Sequence, residues 1–427
     1  MTGEKPREIA IRVLRQRGPS GDYVEKLLER ELARHPLSPL DRALCQELVY
    51  GMVRWQGALD WLVARKTGGR VQNASLRVLL HLGLYQLFWL QRIPDHAAVH
   101  ETVELAKQLG FGPRAGFLNA ILRGYVRERK PTEEILQALK QTDPAAGYSH
   151  PAWLVKRWQK RWGRSQTTLL LTWNNQPPPV YARLNELKTD AARLTTRWAQ
   201  EGLEFEECSW DWTAPGLVFE FISYPPLADL GSFQDGWFYI QDPSTLLAVG
   251  QLDPQPGETI LDLCAAPGGK TSYIAQRMGN RGRIVARDNQ PERLKLLEEN
   301  CRRLGATCVD LAAAPGSFDR ILIDAPCSNT GVLRRRVEAR WRVQPAEINR
   351  LSKAQSALLT KAAQELKPEG TMVYSTCSLE PEENEGVVRR FLEKHPAFRL
   401  ENERQLLPFI EGVDGAHVAT LRHQSSS

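Results

Sequence analysis

No stretch of this sequence is apolar for long enough to cross a bilayer. The most apolar run, residues 78–90, contains His81, Gly83 and Gln86 and is flanked by Arg77 and Arg92. It falls short of the roughly 20 residues that a spanning helix needs. The first ten residues carry charges of both signs and lead into a helical pattern, unlike a secretory or transit segment. Cysteine occurs at 45, 208, 264, 301, 308, 327 and 377; the odd number argues against a disulfide framework, and no paired zinc-ligand spacing is present. A reducing cytoplasm and no metal centre are the expectation. His96 and His100 could share a helix face, but no third ligand lies near them, so packing or capping is preferred. Internal repeats and low-complexity blocks are absent apart from the polar tail at 423–427.

What is present is globular material, 42% hydrophobic and 25% charged, enough for two or three domains. The net charge of +6 is uneven: residues 1–130 hold 21 Lys plus Arg against 13 Asp plus Glu, while the remainder is slightly acidic. Such asymmetry fits an N-terminal module that meets a polyanion, and equally a helical domain with a solvated Arg-rich surface.

From residue 7 to 129 apolar positions recur at helical spacing, as in Leu40-Asp-Arg-Ala-Leu-Cys-Gln-Glu-Leu-Val-Tyr-Gly-Met-Val-Arg-Trp55, which predicts an all-α bundle over 1–130. Lys130-Pro131 reads as its exit. Residues 131–256 are rich in breakers: Ser149-His-Pro-Ala-Trp153 precedes a basic amphipathic helix over 154–163, and Asn174-Asn-Gln-Pro-Pro-Pro179 leads into a strand over 180–185. A small α+β adaptor is expected there. Trp153, Lys156, Arg157, Trp158, Lys160, Arg161 and Trp162 could stack on bases and grip phosphates; a helix with its Trp residues in the core explains the same letters and is preferred for most of them. From 257 to 423 the pattern alternates between strands (259–263, 283–286, 320–323, 371–375) and helices (from 270, 291–304, 348–366). This predicts a right-handed, doubly wound α/β sheet.

The first strand, turn and helix of that region read Ile260-Leu-Asp-Leu-Cys-Ala-Ala-Pro-Gly-Gly-Lys-Thr271, with glycines where a nucleotide approaches the backbone. Cys264 stands where a Walker A loop needs glycine, and the adjacent glycines exclude the dinucleotide fingerprint. Asp288 ends the second strand, 20 residues beyond Gly268, where a carboxylate would accept hydrogen bonds from both ribose hydroxyls. A ribose acid beside a loop without a phosphate grip suits an adenosyl ligand that lacks phosphates, S-adenosylmethionine.

Two further turns each follow a β-branched run and each carry a cysteine: Asp324-Ala-Pro-Cys-Ser-Asn-Thr-Gly331 and Ser375-Thr-Cys-Ser-Leu-Glu-Pro-Glu-Glu-Asn-Glu385. Strand ends are where sites form in open α/β sheets. With the glycine loop, these motifs resemble the RNA cytosine-C5 methyltransferase family. Glu47-Leu-Val-Tyr-Gly51 and Asn119-Ala-Ile-Leu-Arg123 resemble the helical domain shared with the antitermination factor NusB. The resemblance covers nearly the whole chain. It implies an all-α NusB-like N-terminal domain (1–130), a small α+β adaptor (131–256) and a C-terminal α/β Rossmann-like, S-adenosylmethionine-dependent methyltransferase domain (257–423).

C5 of cytosine is a poor nucleophile until a soft attacker adds at C6, and a thiolate suits that task. Spacing alone does not assign the two cysteines. The family implies that Cys377 attacks and that Cys327 assists release, and places Cys264, Ala265, Ala266, Pro267, Gly268, Gly269 and Lys270 around S-adenosylmethionine. Asp324 is expected at the cytosine edge, close to the cofactor, and Lys270 to reach the base or an active-site carboxylate. Glu382, Glu383 and Glu385 are expected to favour a helix N-terminus. Arg334-Arg-Arg336, Arg340, Trp341 and Arg342 could bind RNA phosphates and one stacked base; a solvated helix face is the alternative. Asn329 stands where Gly or Ala is usual, a source of strain or crowding, and His417 where an aromatic is usual. The adenine-contacting residue between Asp288 and Asp324 is left open. The expected activity converts a cytosine in 16S ribosomal RNA to 5-methylcytosine. Transfer RNA or another ribosomal site is the alternative, and a catalytically silent RNA-binding adaptor is the alternative from another class. The expected partner is RNA, with no DNA and no membrane, and the expected state a monomer.

Overall fold

The computed structural model describes residues 5–17, 21–70, 72–312 and 316–424; the end of the polar tail, 425–427, lies outside them. The chain divides into two units, Met1–Gln176 with Arg336–Arg342, and Pro177–Arg335 with Val343–Ser427.

The first unit is helical. Helices Pro6–Gln16, Val24–Arg34, Pro39–Arg54, Gln56–Thr67, Ala74–Trp89, Asp95–Ala106 and Ala115–Arg127 enclose one apolar core. Ser38 and Asn73 cap two of them by accepting the N–H groups of Asp41 and Ser75. Helix Ala74–Trp89 is buried on nearly every face from Leu79 to Leu87, as expected of a run apolar all round. In the Glu47–Gly51 motif, Tyr85 donates to Glu47 at 2.5 Å, and a methyl group at Gly51 would collide with the Tyr85 phenol. His96 and His100 are exposed because Ala98, Val99 and Thr102 form the buried face of their helix; they do not pack.

Lys130-Pro131 does not leave the bundle. It lies in the first turn of helix Arg129–Thr142, where proline's missing N–H costs nothing. Helix Ala152–Trp173 is interrupted at Gly163 (φ 77°, ψ 175°). Trp158 is buried in the core, Trp153 and Trp162 are half-buried, and Lys156, Lys160 and Arg161 face solvent. The region 131–256 is therefore shared between the two units, its helices up to Trp173 in the first and its sheet, with helix Ala191–Gln200, in the second.

The basic run after the Pro-Cys turn also departs from expectation. Arg340 is fully buried and donates to Asn175 Oδ1 at 2.7 Å and to the Asn174 carbonyl at 2.8 Å. Trp341 donates to the Val53 carbonyl at 2.8 Å, Arg342 to that of Gly21 at 2.7 Å. Glu338 accepts from Arg17 at 2.7 Å and from the Val24 N–H at 2.6 Å. In the second unit Arg334 donates to the Pro177 carbonyl at 2.6 Å, and Arg335 bridges Asp242 and Asp414 at 2.8 and 2.7 Å. These groups satisfy protein carbonyls and carboxylates, the requirement for burying a guanidinium, so Arg334, Arg335, Arg340, Trp341 and Arg342 serve the fold, while Arg336 is exposed.

The second unit holds two sheets. Strands β1 (Val180–Leu184), β2 (Glu204–Cys208), β3 (Val218–Ser223) and β4 (Phe238–Ile240) form an antiparallel sheet in the order β2-β3-β1-β4. Trp198, from helix Ala191–Gln200, packs at 5.0 to 5.3 Å among Phe205, Phe219, Phe221 and Phe238. The larger sheet contains β5 (Thr259–Leu263), β6 (Arg283–Arg287), β7 (Val309–Asp310), β8 (Phe318–Asp324), β9 (Leu366–Thr376), β10 (Phe398–Leu406) and β11 (Ala416–His423), in the order β10-β11-β9-β8-β5-β6-β7. Strands β5 to β9 are parallel, and β11 runs against both its neighbours. The order reverses between β5 and β8, so their carboxyl ends open a crevice of the kind in which doubly wound folds bind ligands. His417, on β11, is buried and paired with Glu403 at 3.0 Å.

Candidate active site

All three motifs emerge at those carboxyl ends: the glycine loop after β5, Asp324 and Cys327 at the end of β8, and Cys377 just beyond β9. Cys327 and Cys377, 50 residues apart in sequence, stand with their sulfurs 3.2 Å apart. Their loops meet at Gly331, whose N–H donates to the Cys377 carbonyl at 2.9 Å and whose carbonyl accepts from Gly415 at 2.9 Å. A side chain at 331 would press to 2.7 Å from the Cys377 carbonyl oxygen, so the close approach requires glycine. The hydrogen bond to Cys377, together with burial, pushes the Cys327 thiol well above its ordinary range. Two adjacent thiols do not both ionise readily, and this hydrogen bond and burial act against ionisation of Cys327.

Asn329 adopts the left-handed conformation (φ 59°) that asparagine tolerates. Its Nδ2 donates to the Cys327 carbonyl at 2.9 Å, and its Oδ1 accepts from the Cys377 thiol at 3.2 Å. The side chain is folded onto the two cysteines instead of crowding the turn.

The glycine loop borders a cavity of about 270 Å³, which Cys264, Ala265, Ala266, Pro267, Gly269 and Lys270 line together with Asp324. Cys264 is itself left-handed (φ 70°), and burial pushes its thiol up to about 12. Lys270 Nζ lies 2.6 Å from Asp324 Oδ2, whose other oxygen accepts from Ser375 at 2.8 Å. Burial opposes the charge on Lys270, yet the nearby Asp324 carboxylate outweighs it and raises the ammonium above its ordinary range. Asp288 is turned onto the loop itself, accepting from the N–H groups of Ala266 at 3.2 Å and Gln290 at 3.0 Å and pairing with Arg293 at 3.3 Å. Gly268 packs against Leu297. In the segment left open for an adenine contact, Asp310 pairs with Arg283 at 2.6 Å, and residues 313–315 lie outside the described residues.

Two buried groups, Arg183 and Asp262, were not singled out in the sequence, and a third, Glu383, has a role other than the expected one. Arg183, on β1, donates to the Gly269 carbonyl at 2.8 Å and to Ser272 at 2.9 Å, holding the start of the loop's helix; its signal was faint, one arginine in an apolar strand. Glu383, expected to favour a helix N-terminus, is fully buried and binds both cysteine loops, accepting from the Ser328 N–H at 2.9 Å and from Ser378 at 2.5 Å. Asp262, an acid in the middle of an apolar strand, lines the cavity with Oδ2 bonded to Thr271 at 2.6 Å and Oδ1 buried without a partner.

Burial pushes the Asp262 carboxyl up to about 7, with the Thr271 hydrogen bond opposing and the charge of Asp324 adding. In the unfolded chain this group ionises near 4. Between those values the folded protein keeps a proton that the unfolded chain has released. The contribution to stability is therefore fully present below about pH 4 and is lost as pH rises through about 7. Replacing Asp262 by asparagine is expected to flatten the stability–pH profile over that window by up to about 1.4 kcal/mol per pH unit, measured by urea denaturation at pH 5, 6 and 7.

Residues 249–422 match the family described as 16S rRNA methyltransferase RsmB/F, residues 4–127 the NusB family, and residues 150–217 the ferredoxin-like domain of RsmF/B-like methyltransferases. A probable ribosomal RNA small subunit methyltransferase B of Synechocystis sp. is 38% identical over 92% of this chain and 90% of its own. The chain belongs to the ribosomal RNA small subunit methyltransferase B family. A probable methyltransferase B of Bacillus subtilis is 35% identical, covering 97% of this chain and 98% of its own. The crystal structure of PH0851, 24% identical, shares the fold with a TM-score of 0.78 over 98% of this chain and 99% of that one. A methyltransferase homolog from Pyrococcus horikoshii is 30% identical, with a TM-score of 0.58 over 66% of this chain and 98% of that one.

As a member of that family the chain is an S-adenosylmethionine-dependent RNA methyltransferase. The cavity fits the cofactor: Asp242, Asp262 and Asp324 give it an acceptor-rich polar lining suited to the hydroxyl and ammonium donors of S-adenosylmethionine. The unpartnered Asp262 oxygen awaits a donor.

Proposed function

We propose that the protein methylates C5 of a cytosine in 16S ribosomal RNA, with Cys377 as the attacking nucleophile and Cys327 as the group that assists release. The observation that carries this reading is the thiol pair, 3.2 Å apart at the sheet crevice, in a family of ribosomal RNA methyltransferases. Cys377 gives its proton to solvent, and the thiolate adds to C6 as the C5–C6 π bond opens, making C5 enamine-like. Asp324, braced by Lys270 and Ser375, holds the N3 or exocyclic-amine edge, and a proton passed to N3 from the Lys270–Asp324 pair neutralises the negative charge that attack places on the ring. S-adenosylmethionine, when bound along residues 264–270, supplies an electrophilic methyl group. Once C5 is methylated a base removes its proton, the C6–sulfur bond breaks, and Cys377 is regenerated, with Cys327 as the neighbouring thiol at departure. The target base must be unpaired or flipped out, because C6 is approached from the ring face.

On this reading the enzyme works in the cytoplasm, on RNA and not DNA, as a monomer. The basic N-terminal region recruits the substrate through phosphates. Affinity for a 16S fragment is expected to fall roughly 20-fold between 50 and 200 mM salt if about three phosphates are neutralised; a flat salt response in filter binding removes that region from the account. The decisive test of the chemistry is trapping. With S-adenosylmethionine, purified protein is expected to form a denaturation-resistant complex on 5-fluorocytidine-substituted 16S transcripts, since fluorine blocks the final proton removal. No complex, with active controls, rejects the covalent route. Bisulfite sequencing of RNA from a deletion strain assigns the substrate.

A further inference from the structure

We propose that Asn329 is a positioning residue that holds Cys377 in a protonated resting form, by accepting its S–H in an amide orientation set by the Cys327 carbonyl. The inference rests on Cys377 being the nucleophile. Its physical basis is the direction of two hydrogen bonds. The Cys327 carbonyl can only accept, so it selects the NH₂ end of the amide, at 2.9 Å. That leaves Oδ1, which has no hydrogen to give, 3.2 Å from the Cys377 sulfur. A thiol there donates a hydrogen bond; a thiolate would face a lone pair. Acceptors of this kind favour the neutral form.

The three groups form a directed chain. Cys377 donates its S–H to Asn329 Oδ1, so the contact between the sulfurs at 3.2 Å is made by the Cys327 S–H pointing at Cys377. Three other charged groups act on the pair. Lys270, whose ammonium interacts with Cys377, favours the thiolate; Asp324, paired to Lys270, and Glu383, beside Cys327, oppose it. Asn329 adds to the opposing side through contact rather than charge. Leaving this orientation frees the sulfur to ionise and attack.

The backbone makes the idea testable without disturbing the turn. At φ 59° glycine is free of strain and aspartate tolerates the same region, so Asn329→Gly removes the acceptor and Asn329→Asp strengthens it. The measurement is the pH dependence of Cys377 alkylation by iodoacetamide in the full-length protein, resolved by peptide mass spectrometry. The midpoint is expected to fall by about one pH unit in Asn329→Gly, giving roughly tenfold faster labelling near neutrality, and to rise in Asn329→Asp. A glycine midpoint at or above that of the unchanged protein, or a shift of both variants in one direction, overturns the proposal. 5-Fluorocytidine trapping by the unchanged protein is run alongside: its failure rejects Cys377 as nucleophile, while the labelling order still decides whether Asn329 holds the thiol.

Discussion

Cys377→Ala is expected to reduce methyl transfer by roughly 10⁴- to 10⁶-fold, the scale of losing a covalent nucleophile, and to leave no RNA–protein adduct on a denaturing gel. Cys327→Ala is expected to behave differently. Attack at C6 and methylation remain possible, but release slows, and a covalent adduct accumulates with unmodified RNA. The contrast follows from the site's asymmetry: Cys327 is held protonated by its hydrogen bond to Cys377 and by burial, which suits a partner in release and not an attacker. Adduct on Cys377→Ala, and none on Cys327→Ala, would exchange the two roles.

The second large effect is expected at Glu383. Its carboxylate accepts from the Ser328 N–H and hydroxyl, the Ser378 hydroxyl and Gln355 Nε2, so one buried side chain ties both cysteine turns to helix Pro345–Ala363. Burial raises the Glu383 carboxyl, and the Ser328 and Ser378 hydrogen bonds offset part of that rise. Glu383→Ala strands these donors in a dry interior, at about 3–5 kcal/mol in all. The melting temperature of the unit is expected to drop by roughly 10 °C, and trapping to fail with it because the sulfurs lose their register. Glu383→Gln keeps one acceptor oxygen and is expected to fall between. An unchanged melting temperature in Glu383→Ala would show that the loops are held by their backbone bonds alone.

Much of the second unit was legible from its letters. Strands 259–263 and 320–323 and helix 291–304 follow from apolar runs and from proline and glycine at the helix ends, because parallel strands buried on both faces must be continuously apolar. Lys130-Pro131 follows the end of the NusB match, yet the helix that starts there was missed because proline ends a helix in its interior and opens one in its first turn, and only the neighbouring residues decide which. The arginines at 334, 335, 340 and 342 were misread because an exposed cation and a buried, carbonyl-saturated one have the same sequence signature. Glu383 was misjudged for a similar reason: proximity to a helix start in sequence does not reveal that its carboxylate points the other way.

By itself the sequence determined the chemistry's ingredients: two thiols on strand ends and a glycine loop without a phosphate grip. These are properties of short segments, set by local turn geometry and residue type. Only the tertiary structure decided that Cys327 and Cys377 meet, that Asn329 faces a sulfur, and that Asp262 presents an unpartnered oxygen to the cavity. Each of those depends on which segments the sheet order places side by side, and strand order arises from burial summed over the whole domain rather than from any one motif.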